Sequence, residues 1–109
     1  MIPKKSKIYI AGHKGLVGSA ILRKLKAKGY KNIIVADKSK LDLTNQLRVH
    51  KFIKKNKPDF IFLAAAMVGG IFSNQKYKAE FIYSNLSIQT NVINSAYICG
   101  VKNLIFLGS

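Results

Sequence analysis

The chain has 109 residues, 49% of them apolar, and carries 19 lysines and arginines against four acidic residues, a formal net charge of +15. At this length one domain is expected, and the apolar fraction is too high for a disordered chain. The longest apolar run, at residues 60–68, is far shorter than the roughly 20 residues of a membrane-spanning helix. The basic start leads into a short apolar stretch without a cleavage pattern, so we do not expect a signal peptide. We therefore expect a cytoplasmic protein with no membrane partner.

The positive charge raises the question of nucleic-acid binding. The basic residues are spread along the whole chain, and all are lysines except Arg23 and Arg48. Proteins that read nucleic acids favour arginine, because its guanidinium forms paired hydrogen bonds. We expect a solvated lysine-rich surface and no specific nucleic-acid partner, with polyanion binding as the lesser alternative. The single cysteine, Cys99, excludes an internal disulfide, and no residue spacing predicts a metal site.

Strand-like and helix-like patterns alternate along the whole chain. Apolar, β-branched runs predict strands at residues 7–11, 32–36, 60–65 and 103–107. Apolar residues at three- and four-residue steps predict helices at residues 15–28, 44–55 and about 77–98. Thr44 is the expected N-cap of the second helix. The apolar stripes of the three helices are Val17, Ala20, Ile21 and Leu25, then Leu47, Phe52 and Ile53, and finally Ile82, Leu86, Ile93 and Ala96.

This alternation predicts an α/β fold with a parallel sheet that is covered on both faces. Right-handed crossovers then give a Rossmann-type doubly wound arrangement. The chain stops directly after a predicted strand, which leaves one helix layer unfinished. We expect residues 1–109 to be the N-terminal portion of an NAD(P)-binding Rossmann domain, with the rest of that domain and a substrate domain absent.

A glycine pattern, G-x-x-G-x-x-G, joins the first predicted strand to the first predicted helix. Gly12 permits the tight turn, Gly15 lets the backbone approach a pyrophosphate, and Gly18 lets the helix pack closely against the sheet. The N-terminus of the helix then offers free N–H groups to the phosphates. The predicted cofactor-binding residues of this segment are Gly12, His13, Lys14, Gly15, Leu16, Val17 and Gly18.

The end of the second predicted strand bears on the choice between NAD and NADP. An acid there binds the ribose 2′-OH of NAD, whereas a basic residue binds the 2′-phosphate of NADP. The chain has both types, Asp37 followed by Lys38. These residues by themselves leave the preference open.

Several segments resemble the GDP-L-fucose synthase family of the extended short-chain dehydrogenase/reductase superfamily. The most specific are the glycine turn, read as Gly-His-x-Gly-x-Val-Gly, and the sequence Ala-Ala-Ala-Met-Val-Gly-Gly-Ile at residues 64–71. Residues 41–44, 81–85 and 104–109 also match. Two departures are Met67, where many members carry a lysine, and Lys14, where an arginine is common.

The resemblance implies an enzyme that epimerises GDP-4-keto-6-deoxy-D-mannose at C3 and C5 and reduces its C4 ketone with NADPH. It implies that Lys38 binds the 2′-phosphate, Asp42 and Leu43 lie by the adenine, and Ala65 and Ala66 lie by the adenosine ribose. Leu107 and Gly108 would flank the nicotinamide, and Ser109 matches the catalytic serine that hydrogen-bonds the C4 oxygen.

The family's other catalytic groups, a Tyr-x-x-x-Lys pair, a cysteine and a histidine, lie downstream of the matching segment. We therefore expect the 109-residue chain alone to be inactive, and we interpret Cys99 and His50 as structural. The family also implies a homodimer through the long third helix and its downstream neighbour. The alternatives left open are an NAD-dependent nucleotide-sugar epimerase or dehydratase of the same superfamily and a non-catalytic binding module.

Overall fold

The structure is a computed structural model, which describes residues 2–65 and 75–107. Its strands and helices follow the predicted order, and the parallel α/β fold is confirmed. In chain order the elements are β1 (Ile8–Ala11), α1 (Leu16–Ala27), β2 (Ile33–Ile34), α2 (Gln46–Asn56), β3 (Phe60–Leu63), α3 (Gln75–Ile98) and β4 (Asn103–Phe106).

The four strands form one parallel sheet in the order β2-β1-β3-β4. All of them therefore end at one edge, which we call the carboxyl edge, and begin at the other, the amino edge. The chain steps from β1 to β2 in one direction and then returns to place β3 on the other side of β1. The gap between β1 and β3 at the carboxyl edge is therefore the switch point at which such sheets bind ligands.

The core has two layers because successive side chains of β1 point to opposite faces of the sheet. Ile8 and Ile10 pack with Leu25 of α1 and with Tyr30 on one face. Tyr9 and Ala11 belong to the cluster on the other face, which α2 and α3 cover through Val49, Ile53, Val92 and Ala96. Burial of Tyr9 raises the pKa of its phenol, and its ring lies 4.9 Å from that of Phe52, centroid to centroid.

Two local predictions are wrong in detail. The second strand has only two residues, Ile33–Ile34, because its pairing with β1 ends at Ile34 and Val35 beyond it is exposed. The N-cap of α2 is Asn45, not Thr44, since the Asn45 side chain accepts the Arg48 N–H at 3.1 Å.

The predicted helix stripes are correct in part. Leu25 of α1 and Ile53 of α2 are buried as predicted, whereas Val17 and Leu47 are exposed, and Val49, which was not predicted, is fully buried. Of the predicted α3 stripe only Ala96 is buried, and Ile82, Leu86 and Ile93 face outward. Ala96 shares the buried side of α3 with Asn91, Val92 and Ser95.

No helix in the described ranges is long and apolar enough to cross a membrane.

Candidate functional site

The turn after β1 lies against the end of β3 at Gly12. The φ angle of Gly12 is +90°, in the left-handed region that favours glycine. A Cβ atom on Gly12 would lie 2.6 Å from the Cα of Ala65 and 2.7 Å from its backbone nitrogen. The turn closes where the Gly15 N–H donates to the Gly12 carbonyl at 3.2 Å. Both the positive φ and the contact with Ala65 therefore require glycine at position 12. The turn lies at the switch point of the sheet.

Gly18 brings the first turn of α1 against the same loop. A Cβ atom there would lie 1.9 Å from the Gly12 carbonyl oxygen and 3.1 Å from the Cα of His13. The sequence predicted close packing of this helix against the sheet, whereas the atoms nearest to such a Cβ belong to the glycine turn. Any larger residue would push α1 away from the turn and displace its N-terminus.

Gly15 differs from Gly12 and Gly18 because neither its backbone conformation nor its contacts within the protein require a glycine. Its φ of −73° and ψ of 171° are available to any residue. A Cβ atom there would meet only the Gly12 carbonyl oxygen, at an ordinary 3.5 Å. The space beside Gly15 is open, next to the N-terminus of α1, where Leu16 is 86% exposed. A phosphate fits this position, because a helix N-terminus offers N–H donors and partial positive charge.

The turn is linked to the end of β2 through Asp37. Both His13 Nε2 and Lys14 Nζ lie 3.3 Å from Asp37 Oδ1. The hydrogen bond and the charge of Lys14 lower the pKa of Asp37, with smaller contributions from His13 and Lys40. Asp37 is therefore ionised at neutral pH, and the Lys14 ammonium of the glycine turn offsets its charge. The sequence left the His13 ring without a stated partner, and the parallel pairing of β1 with β2 supplies one.

The connection after β2 carries Lys38, Asp42 and Leu43. Lys38 is exposed. Asp42 Oδ1 accepts the backbone N–H of Thr44 at 3.0 Å and its hydroxyl at 2.7 Å. These hydrogen bonds, and more weakly the charge of Lys38, lower the pKa of Asp42. Leu43 packs against the core, and its carbonyl accepts the Asn91 amide at 2.9 Å, which fixes this connection to α3.

The carboxyl ends of β3 and β4 bring two further predicted residues to the same edge. Ala65 lies against Gly12 at the end of β3. The Leu107 N–H donates to the Leu63 carbonyl at 3.2 Å just beyond β4. The predicted residues Ala66, Gly108 and Ser109, together with Met67, lie outside the described residues.

Cys99 and His50 lie away from this site, near the amino edge. The Cys99 sulfur is 4.0 Å from His50 Nδ1, where the ends of α2 and α3 meet. Among the described residues no group of three or more histidines, cysteines or acids could hold a metal ion.

The profile of the NAD dependent epimerase/dehydratase family matches residues 8–109. The chain belongs to this family. The match includes the glycine turn, the end of β2 and the ends of β3 and β4, which are the segments that form the carboxyl-edge site.

Individual relatives are similar over nearly the whole chain. It is 56% identical over 109 residues to putative GDP-L-fucose synthase 2 from Arabidopsis thaliana, covering 100% of this chain and 33% of the relative. It is 43% identical over 105 residues to GDP-L-fucose synthase from Escherichia coli, covering 96% and 33%. The resemblance predicted from the sequence is thereby confirmed. The chain spans about a third of the length of the curated relatives it matches.

A solved structure with the same fold is the GDP-mannoheptose C4 reductase from Campylobacter jejuni with NADP bound. Its TM-score is 0.92 at 44% identity, and the match covers 99% of this chain and 34% of that one.

Proposed function

We propose that the full-length protein is a cytoplasmic GDP-L-fucose synthase that converts GDP-4-keto-6-deoxy-D-mannose to GDP-L-fucose with NADPH. The observation that carries this proposal is the 56% identity over all 109 residues to a relative of that name. The matching segment contains the turn that the fold brings to the switch point of the sheet. An oxidoreductase and epimerase of GDP-sugars is the class to which these relatives point.

The cofactor pyrophosphate is assigned to the space beside Gly15. Gly12 and Gly18 fix the turn and the start of α1 around that space, so no side chain enters it. The backbone N–H groups of Leu16 and Val17 are the donors at the uncapped start of the helix. When bound, the reduced nicotinamide supplies the hydride that reduces the C4 ketone.

The 2′-phosphate is assigned to Lys38. Two observations support NADPH: the Campylobacter jejuni reductase was solved with NADP, and Asp37 is already paired with His13 and Lys14. A carboxylate paired with the Lys14 ammonium repels a phosphate less than an unpaired one would. The presence of an acid at position 37 favours a second candidate function, that of an NAD-dependent epimerase or dehydratase, because an acid at this position binds the ribose 2′-OH.

The other residues predicted at the carboxyl edge are assigned to the remaining parts of the cofactor and to the substrate. We assign Asp42 and Leu43 to the adenine, Ala65 and Ala66 to the adenosine ribose, and Leu107 and Gly108 to the nicotinamide. The Ser109 hydroxyl is the proposed donor to the C4 oxygen, which gains negative charge as hydride arrives. A preorganised donor at that oxygen lowers the barrier.

The direct test incubates purified full-length protein with GDP-4-keto-6-deoxy-D-mannose and follows the absorbance of NADPH. We expect cofactor consumption and GDP-L-fucose as the product, with no turnover by the 109-residue chain alone. Turnover of a different keto-sugar nucleotide and none of this one would contradict the proposed substrate. A strong preference for NADH or NAD would favour the second candidate.

A homodimer is proposed through the outward stripe of α3. Ile82, Leu86 and Ile93 are 56%, 56% and 39% exposed along one side of this helix. Aliphatic side chains aligned at helical spacing form the kind of surface that packs against another helix. A second copy of the chain, supplying the same stripe, is the proposed occupant.

A further inference from the structure

The fold gathers lysines that the sequence spreads apart. Segments that precede strands and the last turns of helices all lie at the amino edge, because helices run back against the parallel strands. Eleven of the 19 basic residues occupy these segments, and all of them are exposed lysines: Lys4, Lys5, Lys7, Lys24, Lys26, Lys28, Lys31, Lys54, Lys55, Lys57 and Lys102.

Acidic residues do not balance this edge. Of the four in the sequence, only Asp59 lies there in the described ranges, and its carboxylate accepts the Lys7 backbone N–H at 2.8 Å. Asp37 and Asp42 lie at the carboxyl edge, and Glu80 is in the second turn of α3. About two thirds of the net charge is therefore concentrated at the edge opposite the proposed cofactor site.

Helix stability accounts for only part of this pattern. Cations near the C-terminus of a helix interact favourably with its dipole, which explains basic residues in the last turns of α1 and α2. Lys5, Lys31 and Lys102 lie in segments before strands, so the helix dipole gives no reason for them. These three extend the positive surface across β1, β2 and β4.

The surface has an apolar component as well as charge. A hollow of about 450 Å³ opens at this edge between the ends of α2 and α3, lined by Lys54, Lys57 and His50 among others. Ile98 also lines it and is 58% exposed. Lysines around an exposed aliphatic side chain are the combination that peripheral membrane-binding surfaces use.

The basic residues of the amino edge are lysines, which suit a partner with mobile charges better than one whose charges are held in fixed positions. Neither arginine lies at the amino edge: Arg23 is in the middle of α1 and Arg48 is in the first turn of α2. Lysine presents a mobile point charge, whereas arginine gives the fixed fork that suits nucleic-acid phosphates and bases. In place of the sequence-based expectation of no membrane partner, we propose that the amino edge binds the surface of an anionic lipid bilayer peripherally, with the carboxyl edge facing away from it.

The test is binding of the full-length protein to vesicles of phosphatidylcholine with and without phosphatidylserine. We expect sedimentation with the anionic vesicles at low salt and release at high salt, because such attraction is screened. Each lysine near an anionic surface contributes about fivefold to partitioning. Lys5→Glu with Lys31→Glu should therefore weaken binding by about 25-fold or more, with unchanged NADPH affinity and melting temperature.

The matched control reverses the same number of charges at the opposite edge, at Arg48→Glu in the first turn of α2 with Lys78→Glu in the first turn of α3, and should weaken binding by less than about fivefold. Lys5→Gln with Lys31→Gln removes the same two positive charges, should weaken binding by about 25-fold and serves if the glutamate pair does not fold. Equal losses in the edge and control pairs would overturn the proposal, since net charge alone would then explain the binding. Indifference to phosphatidylserine, or tighter binding to duplex DNA at the same salt, would overturn it too.

Discussion

Gly12 and Ala65 approach so closely that a Cβ atom on Gly12 would lie 2.6 Å from the Cα of Ala65. The contact joins the turn after β1 to the end of β3, and both partners are backbone atoms that cannot move as a flexible side chain would. It therefore holds the start of α1 at the switch point of the sheet.

Gly12→Ala should destabilise the fold. The φ of +90° costs a side chain about 1–2 kcal/mol, and overpacking against β3 adds about 1–3 kcal/mol. Gly29→Ala is the matched control, because its φ is +92° but nothing lies within 4 Å of its Cβ position. Urea unfolding should show a clearly larger loss for the first variant, and equal losses would show that the contact with Ala65 is unimportant.

Gly15→Val should remove cofactor binding and leave stability unchanged. Valine fits the extended backbone and meets only the Gly12 oxygen at 3.5 Å, but it would fill the space assigned to the pyrophosphate. Loss of two charge-assisted hydrogen bonds, at roughly 1.5–3 kcal/mol each, weakens binding by at least about a hundredfold. Calorimetry with NADPH measures the affinity and circular dichroism the fold. Parent-like affinity in the folded variant would place the phosphates elsewhere.

Lys38→Ala should weaken NADPH binding by about ten- to a hundredfold, the worth of one charge-assisted hydrogen bond. NADH has no 2′-phosphate, so its affinity should stay nearly constant. Asp37→Ala should spare or improve NADPH binding, because it removes an acid and releases Lys14, and it should weaken NADH binding. Titration of both cofactors against the parent and both variants decides this. An equal loss of both affinities in Lys38→Ala would mean that Lys38 acts only through the general positive field.

Asp42→Asn should remove a pH-dependent part of the stability. Hydrogen bonds from Thr44 hold the folded pKa of Asp42 below its ordinary value of 3.8. The stabilisation is therefore complete above that value and is lost as the pH falls through the lower, folded pKa. The contribution of Asp42 to the free energy of unfolding should stay below about 1 kcal/mol, because solvent reaches the carboxylate. Urea unfolding from neutral to acidic pH should show parent and variant converging in acid. Thr44→Val should shrink their difference at neutral pH, and no change there would contradict the assigned cause.

Leu86→Glu should dissociate the proposed dimer. A charge placed in an apolar helix contact costs about 2 kcal/mol or more, roughly a thirtyfold change in the dimer dissociation constant. Leu47→Glu is the matched control, since Leu47 is 61% exposed on a different helix, α2. Light scattering of the full-length proteins should give a monomer for the first variant and a dimer for the parent and the control. A parent that is monomeric would contradict the proposal.

The sequence alone determined the order of the elements, the parallel α/β class, the glycine turn and the family, because these depend on local periodicity and on residues close together in the chain. It did not determine which helix stripe faces the core. Ile82, Leu86 and Ile93 have helical spacing, but α3 packs into the core cluster through Val92 and through Ala96, the one buried member of the predicted stripe. Apolar spacing shows that a stripe exists, whereas packing decides what covers it.

Only the tertiary structure decided which distant residues meet. Pairing of β1 with β2 and β3 brings Asp37 to Lys14 and Ala65 to Gly12, and no local pattern contains those distances. The same geometry gathers lysines that are spread through the sequence onto one edge, because every strand begins there and α1 and α2 end there. Composition determined how much charge the protein carries, and chain direction through the sheet decided where that charge lies.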